Sequence, residues 1–362
     1  MKIAIVFNKP QSTSSQRAWL QRSGVRDHKA TALREAAEFG VIGEVKLVRE
    51  SLASTSHEVL VFGADDAAIL CAYLAQTQPD LIFNCCEAFI GKAALEMSIA
   101  GLFELLCIPY TGSPAVTLGV LLNKPLTKSI LRGQGIKTPD FAVFRRGQEL
   151  CKPSLGFPLI VKPAAEDASI GIDDHAVVHD EESLWQRIRF VWNNFEQAAL
   201  VEEFIQGREF SVSLLASSHD ELAPLAITEI SFDQMPEGRP QILGYEAKWD
   251  PSAPFTQSMA TQCPATVDGS MASRLGHLAV EVAETVGMRD YGRVDFRLRN
   301  CDQALFVLEA NPNPDLSSEC AFMQAARSSG RTDERTICEI LERGLARCGR
   351  RADTTLTQYG VA

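Results

Sequence analysis

No apolar run in this sequence reaches the roughly 20 residues that a membrane-spanning helix needs, so no transmembrane segment is expected. A phosphate loop of the GxxxxGK[ST] kind is missing as well. The ten cysteines (Cys71, Cys85, Cys86, Cys107, Cys151, Cys263, Cys301, Cys320, Cys338 and Cys348) include no CxxC pair, and the six histidines have no zinc-ligand spacing with them. A chain of 362 residues needs no disulfide framework, so reduced thiols and a cytoplasmic location are expected. Positive charge is short too. The formal net charge of −11 does not invite nucleic acid or an anionic membrane. The opening MKIAIVFNKP lacks a signal-peptide cleavage pattern and reads as a first strand.

What remains is an ordinary globular composition, 46% hydrophobic and 22% charged, long enough for two or three subdomains. The pattern predicts a strand at KIAIVF, a helix over 28–38, a strand at EVKLV (44–48), a helix over 65–77 and a strand at DLIFNC. A helix over 94–106, a short strand at IPYTG and a helix over 117–134 follow. Strands alternating with helices imply a parallel α/β unit over residues 1–115. From about 140 the texture becomes α+β. FPLIVKP and ALVEEFI bracket a Gly-containing loop and a helix over 181–195. EFSVSLLA, LAITEIS, YEAKW, RVDFRL and ALFVLEAN then read as mostly antiparallel strands, with helices over 270–286 and 333–347 and a polar tail expected to fray after Arg350. The expected units are therefore 1–115, 116–208, 209–350 and a tail, 351–362.

Near the C-terminal end, GRVDFRLRNCDQALFVLEANPNPDL (292–316) forms two apolar strands interrupted at every second position. Alternation puts Arg293, Asp295 and Arg297 on one face. A turn centred near Asp302 then sets Asp295 opposite Glu309 and Arg293 opposite Asn311. Facing carboxylates repel unless something positive lies between them. A divalent cation with oxygen ligands would serve, Asn311 adding an amide oxygen and Arg293 meeting a phosphate or developing oxyanion. A buried network in which Arg293 and Arg297 neutralise the acids fits the hairpin equally well.

Three lysines in apolar surroundings lean towards a polyphosphate: Lys124, which opens a helix in LLNKPLTKSIL, Lys162 at the end of FPLIVKP and Lys248 in YEAKW. The small residues of PAAEDASIGIDD allow backbone N–H groups to approach an anion. LVEEFIQGREFSV sets Glu202 and Glu203 at the end of an apolar strand, a turn at Gly207 and Glu209 before the next strand, where an adenine wants backbone amides and a ribose wants a carboxylate. Each taken alone is more simply a snorkelling lysine, a surface loop or a charged turn.

In their order and spacing these segments, with GLFELLCIPYTGS and LEANPNPDL, resemble the ATP-grasp superfamily and most closely its D-alanine–D-alanine ligase branch, over residues 80–345. The resemblance implies a Rossmann-like N-terminal domain followed by a two-lobed ATP-grasp fold. It implies that Lys124, Lys162 and Lys248 serve ATP, with loop 164–171 closing over the phosphates. Glu202, Phe204 and Ile205 would form the adenine hinge, and Glu209 would take the ribose. Asp295, Glu309 and Asn311 would hold two Mg²⁺ (Mn²⁺ being admissible), and Arg293 would stabilise the transition state. In the implied reaction a carboxylate attacks the γ-phosphate to give an acylphosphate and ADP, and an amine then displaces phosphate from the acyl carbon. The expected partners are small carboxylate and amine substrates, amino acids or derivatives, with a homodimer allowed.

The departures concern the amino-acid pocket. The family's acid-bearing first loop is NKPQSTSSQ here, its phosphate-loop serine is Ala168 with Ser169 following, and its EAKY tyrosine is Trp249. The His-Gly loop becomes NCCEAFIG, which offers Glu87, and the glycine after the last proline becomes Asp315. Cys85 and Cys86 are expected to face the cleft without a chemical role. An amide-forming ligase, a D-alanine–D-alanine ligase with a divergent pocket, and a non-catalytic ATP-binding protein are the three functional expectations.

Overall fold

The computed structural model describes residues 1–10, 28–167, 169–217, 221–236, 238–244 and 260–358, the side chains of 28–39 and 348–358 excepted. Three separate sheets carry the described chain. The first is parallel, ordered β2-β1-β3 from β1 (Lys2–Asn8), β2 (Glu58–Ala64) and β3 (Leu81–Cys85). Helices α1 (His28–Leu52) and α2 (Ala67–Thr77) make its crossovers.

The strand expected at EVKLV lies inside α1. Val41, Val45, Val48 and Leu52 are all buried, a stripe at spacings of four and three that only a helix can turn to one side. Five residues were too short a window to separate the two periods. The partner of β1 is instead EVLVFGA, which the sequence reading passed over. IPYTG forms a single parallel bridge, Ile82 to Tyr110, rather than a strand.

After α3 (Glu96–Leu105), the helix expected over 117–134 is two: α4 (Ala115–Leu122) and α5 (Lys124–Gly133). Asn123 breaks them at φ −85°, ψ 85°, and its side chain caps α5 by accepting from the Leu126 N–H at 3.2 Å. Pro125, in the first turn of α5, could not have continued a helix from the preceding turn. The break leaves Lys124 at the helix start, its N–H donating to the Ala164 carbonyl at 3.1 Å.

The second sheet is antiparallel, ordered β4-β7-β5-β6 from β4 (Phe141–Phe144), β5 (Leu159–Pro163), β6 (Val177–Val178) and β7 (Ala199–Glu203). Helix α6 (Glu181–Phe195), started by an Asp180–Ser183 capping box, buries Leu184, Ile188 and Val191 against it.

The third sheet runs β10-β9-β8-β11-β12, all antiparallel, from β8 (Gly207–Ala216), β9 (Leu222–Ser231), β10 (Ala260–Gln262), β11 (Tyr291–Arg299) and β12 (Leu305–Asn311). Helix α7 (Gly269–Val286) covers one face with Leu275, Ala279, Val282 and Ala283. The opposite face is polar and lines a cleft. Helix α8 (Ala321–Ser328) precedes α9, expected to stop at 347 but continuing through Asp333–Gln358. Ile337, Ile340 and Leu341 of α9 pack with Val41, Val45 and Val48 of α1, so the last helix returns to the first domain. Among the described residues, no helix is long and apolar enough to cross a membrane.

Candidate active site

The β11–β12 register puts Asp295 opposite Glu309 and Arg293 opposite Asn311. That pairing follows from a turn centred at 302, yet Leu298 pairs with Leu305, half a residue earlier. A bulge after Asp295 makes up the difference by leaving Leu308 without a Cα partner. The carbonyl of Leu308 accepts from Lys128 Nζ at 3.1 Å.

Asp295 is held from three sides. Arg293 donates to both its oxygens at 2.8 and 3.0 Å, Ser211 Oγ at 2.7 Å and Asn311 Nδ2 at 3.0 Å. Glu309 is paired with Lys124, which also lies 3.6 Å from Asp167. Burial works to lower the pKa of both cations, but Glu309 and Asp167 prevail at Lys124 and Asp295 prevails at Arg293, so both stay charged. The arginine–acid network and the facing acids thus coexist. The network divides its labour, however, because Arg297 does not touch Asp295. It pairs with Glu209 at 2.7 Å and lies over the rings of Phe204 and Phe232.

Across the cleft, Glu202 is 1% exposed and carries two ammonium groups, Lys128 Nζ at 2.7 Å and Lys162 Nζ at 2.6 Å. Burial alone would raise the Glu202 carboxyl, but the two lysines hold it below its ordinary value. Burial drives Lys128 down to about 8, helped by the like charge of Lys162. Lys128 escaped the sequence reading. The signal was there, since it stands four residues after Lys124 and so on the same face of α5. Beside this cluster Ile205 is buried, and the Phe204 N–H donates to the Pro158 carbonyl at 3.1 Å. Ser169, at φ +59°, lines the cleft with Asp167 and Ile170. Lys248, Ala168 and Trp249, and segment 249–262 apart from Ala260–Gln262, lie outside the described residues.

The third wall comes from the N-terminal domain. Glu87 follows β3, and its N–H donates to Asn8 Oδ1 at 2.9 Å. Glu44 on α1 and Asp315 after β12 approach it, each of the three offering an oxygen within 4.8 Å of the others'. Burial first, then Asp315 and Asp167, push the Glu87 carboxyl up to about 8. Glu44 moves the same way, through burial and the charges of Glu87 and Asp315. Glu44 was missed because it was read as part of a strand. As an acid at a core position of a helical stripe, it carried a signal. Cys85 and Cys86 do not face the cleft as expected: both are 2% exposed, and burial raises both thiols. They lie in two separate cores of the first domain, Cys85 with Val41 and Val45 of α1 and Cys86 with Leu70 and Leu74 of α2.

Together the three walls enclose about 1090 Å³. Among known proteins, a family model described as D-ala D-ala ligase C-terminus matches residues 130–342. An uncharacterized protein, y4sG, of Sinorhizobium fredii is 34% identical over 74% of this chain and 75% of its own length. A D-alanine–D-alanine ligase of Syntrophotalea carbinolica is 31% identical over 82% of this chain and 88% of its own. The crystal structure of the D-alanine–D-alanine ligase from Bacillus anthracis complexed with ATP superposes with a TM-score of 0.73, covering 97% of this chain and 99% of that one at 19% identity, and so shares the fold. The match spans more than half the chain and includes the hairpin with its facing acids. The chain therefore belongs to the D-alanine–D-alanine ligase family of ATP-grasp enzymes and is an ATP-dependent carboxylate–amine ligase.

Proposed function

We propose that this ligase joins a carboxylate other than D-alanine to an amine, through an acylphosphate, using the cleft between its three sheets. The observation that carries the reading is the face-to-face pair Asp295–Glu309, with Arg293 and Asn311 beside it and Lys124 reaching it from α5.

The donor set fits Mg²⁺. It consists of hard oxygens only, and Asn311 uses its amide nitrogen on Asp295, which leaves its carbonyl oxygen for a metal. Asp295, Glu309 and Asn311 would hold the ions, which supply neutralisation of the triphosphate charge. Lys124 and Lys162 would orient the phosphates, and the loop with Ser169 would exclude water from the acylphosphate. Glu202, Phe204 and Ile205 would bound the adenine, and Glu209 the ribose, with Lys248 an additional phosphate or adenine contact. Arg293, kept cationic, would meet the charge that develops on the tetrahedral centre. No protein nucleophile is required.

A substrate ammonium cannot be buried unpaired. The first loop offers no acid for it, while Glu87 stands free of any cationic partner among the described residues. Asp315 adds negative charge where the resemblance implies that the second substrate's carboxylate lies. These departures disfavour D-alanine. Release of ADP from ATP, measured with pools of amino acids, tests the reading. Turnover with a pool that excludes D-alanine, and little with D-alanine alone, is expected. Robust D-alanyl-D-alanine synthesis would favour the family's named activity instead, and silence with every pool despite ATP binding a non-catalytic protein.

A further inference from the structure

Of Lys124, Lys128 and Lys162, Lys128 is the most deeply buried, 2% exposed, and it does not line the cavity that Lys162 and Glu202 border. Its ammonium has partners from three places. It pairs with Glu202 of β7 at 2.7 Å, donates to Thr138 Oγ1 in the segment before β4 at 2.8 Å, and donates to the Leu308 carbonyl of β12 at 3.1 Å. Three N–H donors thus meet three oxygens, which is what a buried ammonium requires. Two of these partners touch on the nucleotide site proposed above. Glu202 bounds the adenine, and Leu308 is the bulge residue next to Glu309. The segment that carries Thr138 is itself stitched to both sheets: the Val307 N–H donates to the Lys137 carbonyl at 2.9 Å, and the Glu203 N–H to the Asp140 carbonyl at 2.8 Å. Lys128 therefore stands on the seam between the second and third sheets.

A purely structural role leaves two observations over. Apolar side chains in place of a buried ion pair are often neutral for stability or better, so packing alone does not call for a lysine here. Glu202, moreover, has one negative charge and faces two ammonium groups. The surplus has a use when a phosphate draws on Lys162, which borders the cavity. Lys128, out of reach of the cavity, then stays behind as the cation that keeps the buried Glu202 balanced.

We propose that Lys128 is a positioning residue for the nucleotide: it balances Glu202 while Lys162 turns to the phosphates, and through the Leu308 carbonyl it holds the bulge that sets Glu309 in line. This rests on the placement of ATP in the cleft proposed above. In the free protein Lys162 can balance Glu202 alone, so the need for Lys128 arises in the bound state.

The test uses the full-length enzyme and a non-hydrolysable ATP analogue with Mg²⁺, read by calorimetry and so without any amino-acid substrate. Lys128→Met keeps an unbranched side chain and removes the charge. The Kd for the analogue is expected to rise roughly tenfold to a hundredfold, and the Mg²⁺ concentration for half-maximal binding to rise with it. The melting temperature of the ligand-free variant should change little, because Glu202 keeps Lys162. Lys162→Met should also cost less affinity in the Lys128→Met background than in the unaltered enzyme, because there Lys162 is already detained by Glu202. Should Lys128→Met not fold, Thr138→Val replaces it: it withdraws one oxygen from Lys128, leaves every charge in place and is expected to raise Kd about threefold to tenfold. Unchanged affinity in a folded variant, a lowered melting temperature with Kd kept, or strictly additive losses in the double variant would overturn the role of Lys128 while Lys162→Met and Glu309→Gln still weaken binding. If those two variants also bind the analogue as the unaltered enzyme does, the placement of ATP in this cleft falls, and the role of Lys128 with it.

Discussion

At the scale of single residues, Asp295, Glu309, Glu202 and Glu209 are each answered by cations, and this makes the consequences of neutralising one of them specific. Glu309→Gln removes an oxygen proposed to hold metal and the anionic partner of Lys124, which keeps Asp167 nearby. Turnover is expected to fall by roughly a thousandfold or more. The melting temperature should move by no more than about 3 °C, because Glu309 lies on the cleft face rather than in the core. A collapse of the fold in circular dichroism would show that the residue is structural. Glu87 yields a pH prediction with a definite sign. Unfolded, its carboxyl ionises near pH 4.3; folded, it keeps its proton to about 8. Between those values the unfolded state binds fewer protons, so stability from this group falls as pH rises and levels off above 8. Glu44 acts in the same direction. Lys128 acts oppositely and at higher pH: lowered to about 8 when folded, it makes stability rise between there and its unfolded value near 10.4. Melting curves of the ligand-free protein from pH 5 to 8 should therefore decline, and Glu87→Gln should flatten the decline. An unaltered slope in the variant would remove Glu87 as its cause.

Elements decide how those residues meet, and here sequence reading had uneven reach. Two-residue alternation located Arg293, Asp295, Glu309 and Asn311 and paired them correctly, because a half-buried antiparallel strand writes its faces directly into the sequence. The helix start at Lys124 was read, but the separate helix before Asn123 was not, since LLNKPLTKSIL keeps apolar residues at helical spacing on both sides of the break. Asn-Lys-Pro was the available signal. EVKLV failed for the opposite reason: five residues satisfy both periods, and only the longer stripe from Val41 to Leu52 decides. The trio of Glu44, Glu87 and Asp315 could not have been assembled from any local pattern, because its members come from three distant parts of the chain. The Asn123 cap also lends itself to a measurement. Asn123→Ala should cost about 1 kcal/mol in denaturant unfolding. It should also weaken ATP binding, since the cap fixes the first turn of α5, from which Lys124 projects. Loss of stability with nucleotide affinity unchanged would separate the cap from the site.

For the whole molecule, an ion pair reinforces the apolar joint between the first domain and the C-terminal lobe. Arg347 of α9 donates to both oxygens of Asp290, which is 2% exposed, and to the Tyr110 carbonyl at 2.8 Å. Asp290 also accepts from the Gly112 N–H at 2.8 Å. Arg347→Ala leaves a buried carboxylate without its cation and is expected to cost about 3 kcal/mol. Because the third wall of the cleft belongs to the first domain, the same variant should lose substrate affinity more than ATP affinity. Calorimetry with the two ligands in turn checks this, and equal losses would mean that the joint serves stability alone.

The bulge at Leu308 separates the tip of the β11–β12 hairpin from its base. The facing acids take their register from the interior of the sheet, where β11 is also stitched to β8, and not from the turn. The exposed residues 301–303 are thus an open port in an otherwise closed design. A short peptide tag or a fluorophore could be spliced in there, and the enzyme would carry it as cargo with its facing acids still in line.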